Sequence, residues 1–187
     1  MNKPLNVLFL SNMMVEKGVM TAIEAARILK SRGVAAELRF VGKWSDVSAD
    51  DFASAVRNAH VDDMCFAFGA RYGEEKEHFL AAADVFIFPT YYHNECFPIV
   101  LLEAMRHSLP CITTGEGGIT DIVDDGETGF IVEKHNAEAL ADKIEYFAVN
   151  RAECRRMGKN GCIKFEQHFT LERFERRFCE IIDDCLT

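Results

Sequence analysis

Residues Asp84–Thr113 read DVFIFPTYYHNECFPIVLLEAMRHSLPCIT, two apolar runs around a helical segment. Asp84–Phe88 (DVFIF) is apolar after its first residue, without alternation, as suits a short strand buried on both faces. Pro89 ends it, and a polar and aromatic loop follows. Pro98 suits the first turn of a helix, where its missing N–H costs nothing, so a helix is expected over Phe97–His107. Pro110–Thr113 (PCIT) is then a second buried strand. Strand, loop, helix and strand in that order make a crossover unit, with parallel strands and a right-handed connection.

The same rhythm extends in both directions. Upstream, strands are expected at Asn6–Leu10 (NVLFL), Ala36–Val41 (AELRFV) and Met64–Phe68 (MCFAF), each closed by a polar or glycine-containing loop. Helices are expected over Lys17–Ser31, over a segment ending near His60, and over Gly73–Ala83. Downstream, Gly129–Val132 (GFIV) is a sixth strand and Asn136 is the N-cap of a helix through Phe147. Two further helices, Arg151–Gln167 and one opening at Thr170, form a helical tail. Leu171, Phe174, Phe178, Ile181 and Cys185 share one face of the last. The expected architecture is α/β: a Rossmann-like parallel sheet of about six strands with helices on both faces, in a single domain over 1–187. Ligands of such sheets bind beyond the carboxyl ends of the strands, which directs attention to the loops SNMMVEKG, GKWS, GARYG, PTYYHNECFP and TGEGG.

Bulk properties narrow the classes. The 187 residues carry a formal net charge of −9, which argues against a nucleic-acid-binding surface. The seven cysteines are scattered, odd in number and form no C-x-x-C pair, so neither a disulfide framework nor a zinc site is expected. A reducing, cytoplasmic setting follows. The N-terminal apolar stretch is too short to span a bilayer and has no signal-peptide pattern.

Two glutamates, Glu95 and Glu103, have seven residues between them. Glu95 precedes the expected helix and Glu103 projects from its second turn. The amides and dipole at that helix start favour an anion, and a carboxylate is a good acceptor for sugar diols. The spacing alone is equally met by a capping acid and an exposed helix acid. Lys17, taken alone, also reads as a solvated surface lysine.

The wider pattern resembles the glycosyl transferases group 1 family, whose members have the GT-B fold and are mostly retaining. ECFPIVLLEAM matches the family's glutamate pair followed by alanine and methionine. ADVFIFPT stands in place of the strand before it, and TGEGGITDIVDDGETGFIV is similar to the family's double-glycine segment and D-G-x-x-G-x-x-V turn. Glu16-Lys17-Gly18 matches a phosphate-contacting loop, and RMGKNG with an aromatic-rich last helix also fits. The resemblance implies one half of a GT-B fold, the donor-binding domain, with the N-terminal acceptor domain absent and the isolated chain inactive.

Roles follow from the resemblance. Lys17 and Glu95 are the expected catalytic residues, on the diphosphate and the donor sugar respectively. Glu103 accepts the ribose hydroxyls. The backbone amides of Cys96, Phe97, Ile99 and Val100 surround the sugar and diphosphate, while Pro98 in that segment has no amide to offer. Arg71, in the loop Gly69–Tyr72, borders the base. Apart from the resemblance, His93 and Asn94 sit beside Glu95, where they either touch the sugar or pack the loop, and the flexible turn of Gly115, Gly117 and Gly118 is able to approach phosphate. No cofactor or metal is expected, since the D-x-D pattern of metal-holding transferases is not evident. The implied partners are a nucleotide-sugar donor and the missing domain, with peripheral association of the full enzyme to the inner face of a membrane.

Three positions depart from the family. Asn12 stands where an arginine usually helps to clamp the diphosphate, and Lys43 is a candidate substitute. Cys96 replaces a glycine, and Asp121 replaces a glutamate. These departures keep open a non-catalytic module that binds nucleotide or protein on the same fold. A sugar-nucleotide epimerase of the same architecture is a third reading.

Overall fold

A computed structural model describes residues 3–186. The sheet contains β1 (Leu5–Leu10), β2 (Ala36–Val41), β3 (Cys65–Ala67), β4 (Val85–Phe88), β5 (Cys111–Thr114) and β6 (Gly129–Val132). Their order is β3-β2-β1-β4-β5-β6, and every neighbouring pair is parallel. The helices are α1 (Val19–Ser31), α2 (Ala49–Asn58), α3 (Gly73–Ala82), α4 (Ile99–Arg106), α5 (Ile119–Ile122), α6 (Ala137–Val149), α7 (Arg151–His168) and α8 (Leu171–Leu186).

Strand residues alternate between two cores, as the two-residue period of a strand requires. Leu5, Val7 and Phe9 of β1 join Leu38, Phe40, Val85 and Ile87 beneath α1, α2 and α6. Leu8 and Leu10 face the other way, with Phe86 and Phe88, against α3, α4 and α5. All six residues of β1 and all four of β4 are buried, which explains the apolar runs Val7–Leu10 and Val85–Phe88. Full burial of each such large side chain contributes roughly 1.5–3 kcal/mol. Asn6 is the polar exception: its amide N–H donates to Asp84 Oδ2 at 2.8 Å and its side chain donates to the Ala82 carbonyl at 3.2 Å.

Element ends follow local chemistry. Ser48 and Asp51 form a reciprocal capping box at the start of α2, with bonds of 3.1 and 3.0 Å. The Asn136 side chain accepts from the Ala139 amide at 2.8 Å and caps α6 as expected. Two expectations are corrected. The helix expected to begin at Lys17 is interrupted: Val15–Lys17 is a 3-10 turn, and α1 begins only after Gly18, whose φ of +86° breaks the helical path. Pro98 is the N-cap of α4 rather than a residue of its first turn, with ψ at 108°, so the helix starts at Ile99. The short helix α5 was not foreseen.

The sheet order reverses between β1 and β4, the switch point at which ligands of such sheets bind. The apolar face foreseen on the last helix exists, but it lies open: Leu171, Phe174, Phe178 and Ile181 are each more than half exposed. Among the described residues no helix is long and apolar enough to cross a membrane.

Candidate functional site

The loops after β1 and β4 meet because Gly18 lets them. A Cβ there would stand 2.3 Å from the Pro89 carbonyl oxygen, so only glycine permits the contact. The approach is fixed by Tyr91 N–H donating to the Glu16 carbonyl at 2.8 Å. It delivers Lys17 to the end of β4. The Lys17 ammonium lies 2.5 Å from Glu95 Oε2, 4.5 Å from the Tyr92 ring centroid and 5.4 Å from that of Phe88. Thr90, fully buried, places its hydroxyl 3.2 Å from the same glutamate oxygen. The two charged side chains are 13% and 9% exposed, so solvent screens them little.

A second close approach fixes the backbone around Glu95. Gly117 has φ +52°, and a Cβ on it would stand 1.7 Å from the Glu95 carbonyl oxygen. The Gly118 amide donates to the Cys96 carbonyl at 2.7 Å. The glycine pair therefore lies against the 95–96 backbone itself, holding that segment ahead of α4.

Beside these loops is a cleft of about 350 Å³ at the carboxyl ends of β1 and β2. Lys17, Lys43, Arg71 and Lys76 line it, against the single carboxylate of Glu103. Four cationic side chains around one cleft stand out in a chain of net charge −9. Asn12 and Val100 line the same cleft. The first amides of α4 have no acceptor within their own helix and carry its positive dipole end. Glu103 sits on the second turn of α4, with Oε1 2.6 Å from Lys76 Nζ. Asn12, Lys17, Arg71, Val100 and Glu103 are thus brought together, and Glu95 is one ion pair away behind Lys17.

Other foreseen residues stand apart from this cleft. His93 and Asn94 are exposed and bonded to each other at 2.9 Å, with His93 Nδ1 3.8 Å from Glu16. Phe97 and Ile99 turn their side chains into a different groove, against α8. Cys96 is exposed and Pro98 buried. Tyr91 packs on His135 with ring centroids 3.9 Å apart, and burial, helped by Glu16 and Asp46, pushes its phenol up from the ordinary value.

Lys76 escaped the sequence reading. Its available signal was its place in the first turn of a helix that follows a strand's carboxyl end. It is one of three polar links tying α3 to α4. In the other two, Glu77 accepts from His107 at 2.8 Å and from Arg106 at 2.6 Å. Those partners, His107 first, hold the Glu77 carboxyl below its usual value. Among the described residues, no group of three or more His, Cys, Asp or Glu side chains is placed to hold a metal ion.

Comparison with known proteins agrees with this fold. Residues 2–163 match the family described as glycosyl transferases group 1. The amylovoran biosynthesis glycosyltransferase AmsK of Erwinia amylovora is 27% identical over 98% of this chain and 46% of its own. Sucrose-phosphate synthase of Thermosynechococcus elongatus superposes with a TM-score of 0.86 at 26% identity, over 99% of this chain and 46% of that one. Alr3699/HepE of Anabaena, solved in complex with UDP and glucose, superposes with a TM-score of 0.86 at 18% identity, over 97% of this chain and 48% of its own. The chain spans less than half the length of the curated relatives it matches. With its sheet order, its cationic cleft and a match over most of its length, the chain belongs to the glycosyl transferases group 1 family.

Proposed function

We propose that this chain is the nucleotide-sugar-binding half of a glycosyltransferase that transfers a sugar, with retention, to a glycan or lipid-linked acceptor. The observation that carries the reading is the cleft beyond β1 and β2, beside the switch point, which is lined by Lys17, three further cations and Glu103. In this reading the diphosphate lies against Lys17 and the first amides of α4. The ribose reaches Glu103, and the sugar turns toward Glu95 and the backbone of Cys96 and Phe97. As the bond from the anomeric carbon to the diphosphate breaks, negative charge grows on the departing oxygen. Lys17 is fixed beside it at low exposure and stabilises that charge without reorganising. Charge stabilisation by a lysine and a helix start requires no metal. Lys43, Arg71 and Lys76 supply the positive charge that Asn12 does not.

The acceptor side belongs to a second half. That AmsK and the Anabaena protein are about twice as long supports this, as does the open apolar groove of about 760 Å³ between α8 and the start of α4. Phe97, Ile99, Phe174 and Phe178 line that groove, a surface suited to burial against the rest of a longer protein. The Anabaena structure with UDP and glucose supports a nucleotide-sugar ligand, and the name of AmsK, an amylovoran biosynthesis glycosyltransferase, supports a biosynthetic role. A cytoplasmic setting and polysaccharide biosynthesis belong to the same reading. Peripheral association with a membrane belongs to the same reading.

The test is calorimetric titration of the chain with UDP, GDP and their hexose derivatives, paired with a transfer assay. Weak binding of one nucleoside diphosphate and its sugar, without turnover, is expected. No binding of any of them, or brisk glycosyl transfer by this chain alone, would overturn the reading.

A further inference from the structure

The Lys76–Glu103 pair has a geometry that a simple helix tether does not need. Both side chains stand in the cleft wall, 25% and 23% exposed, and only Oε1 of the glutamate is held, at 2.6 Å. The α3–α4 contact is already secured by Glu77, which binds Arg106 and His107 outside the cleft. A carboxylate has about four lone-pair directions, so one lysine contact leaves Oε2 and part of Oε1 able to accept hydroxyl protons. A free glutamate side chain at this place would swing between rotamers and toward Lys43 or Arg71, each of which lines the same cleft.

We propose that Lys76 is a positioning residue that fixes the Glu103 carboxylate for a vicinal diol and thereby sets the preference for ribose over deoxyribose nucleotides. The inference rests on the ribose role given to Glu103 above. Lys76 holds one oxygen and α4 holds the backbone, which leaves Oε2 in the cleft wall to accept from a diol. Removing Lys76 also weakens the cleft's attraction for phosphate, but that loss falls equally on ribose and deoxyribose ligands. The ratio of the two affinities therefore isolates positioning from charge.

The experiment titrates the chain with UDP and 2′-deoxy-UDP, and with GDP and 2′-deoxy-GDP. The proteins are the wild type, Lys76→Met, Lys76→Arg and Glu77→Gln. The wild type is expected to favour the ribose form by about tenfold or more, the size of a hydrogen bond to a charged group. Lys76→Met should bring the ratio close to one, Lys76→Arg should restore most of it, and Glu77→Gln should leave it unchanged. A wild type with no ribose preference would overturn the role of Glu103 itself. A wild-type preference that survives in Lys76→Met would overturn only the positioning role. A ratio lost equally in Glu77→Gln would overturn it too, by showing that any link between α3 and α4 suffices.

Discussion

The ammonium of Lys17 and the Oε2 atom of Glu95 stand 2.5 Å apart, although 78 residues separate them in the chain. Their contact joins the loop after β1 to the loop after β4 across the switch point. Each is nearly enclosed, so removing one partner strands the other's charge. Lys17→Met is expected to cost about 3 kcal/mol of stability, and adding Glu95→Gln should recover most of it. Urea unfolding of the single and double variants checks this. A single variant as stable as the wild type would contradict it.

The tight contact beneath Glu95 gives a sharper stability prediction. Gly117→Ala places a Cβ 1.7 Å from the Glu95 carbonyl oxygen at φ +52°, so the 95–96 backbone has to shift. The expected loss is about 2 kcal/mol or more, with weakened nucleotide binding. Gly115→Ala, whose new Cβ meets nothing nearer than 3.7 Å, is the control and should cost little. Unfolding midpoints of the two variants separate the cases.

Cysteine chemistry reports both the core and the site. Burial pushes the Cys65 and Cys111 thiols up to about 12 and that of Cys154 to about 11. Near pH 8 these three should resist alkylation until the protein unfolds, while the exposed Cys96, Cys179 and Cys185 react promptly. Cys96 adjoins Glu95, so a bound sugar nucleotide should slow its labelling and leave Cys179 unaffected. Peptide mass spectrometry after timed alkylation measures each rate.

Acid sensitivity should be partly carried by Glu77. Its carboxyl is held below the ordinary 4.5 chiefly by the bond from His107, with burial opposing and the charges of Arg106 and His107 assisting. A depressed acid stabilises the fold above its unfolded value, and that contribution is lost as the pH falls through the folded value. Glu77→Gln should therefore flatten the stability loss below about pH 4.5 relative to the wild type. Thermal melts from pH 6 to pH 3 test the sign.

The parts of the fold written in short range were legible from sequence. Val85–Phe88 and Leu5–Leu10 are buried on both faces, and a strand so placed is apolar except where a polar residue, here Asn6, finds its own partners. Asn136 caps α6 through its own side chain, which one residue type announces. The break at Gly18 was not legible, because it depends on the distant Pro89 carbonyl oxygen. Lys76 was not legible either, because only the packing of α3 on α4 brings it to Glu103. The glycine pair at 117–118 was visible as a turn, but its contact with the 95–96 backbone is a tertiary fact. At the site, therefore, sequence identified the charged residues better than the contacts that hold them.

The most direct measurement is a crystal structure of the chain soaked with a nucleoside diphosphate, UDP or GDP. Phosphate oxygens are expected within hydrogen-bonding distance of Lys17 Nζ and ribose hydroxyls on Glu103, in the cleft beside α4. Nucleotide bound elsewhere would contradict it, for example in the cavity lined by Lys3, Arg151 and Arg155 at the opposite end of the sheet.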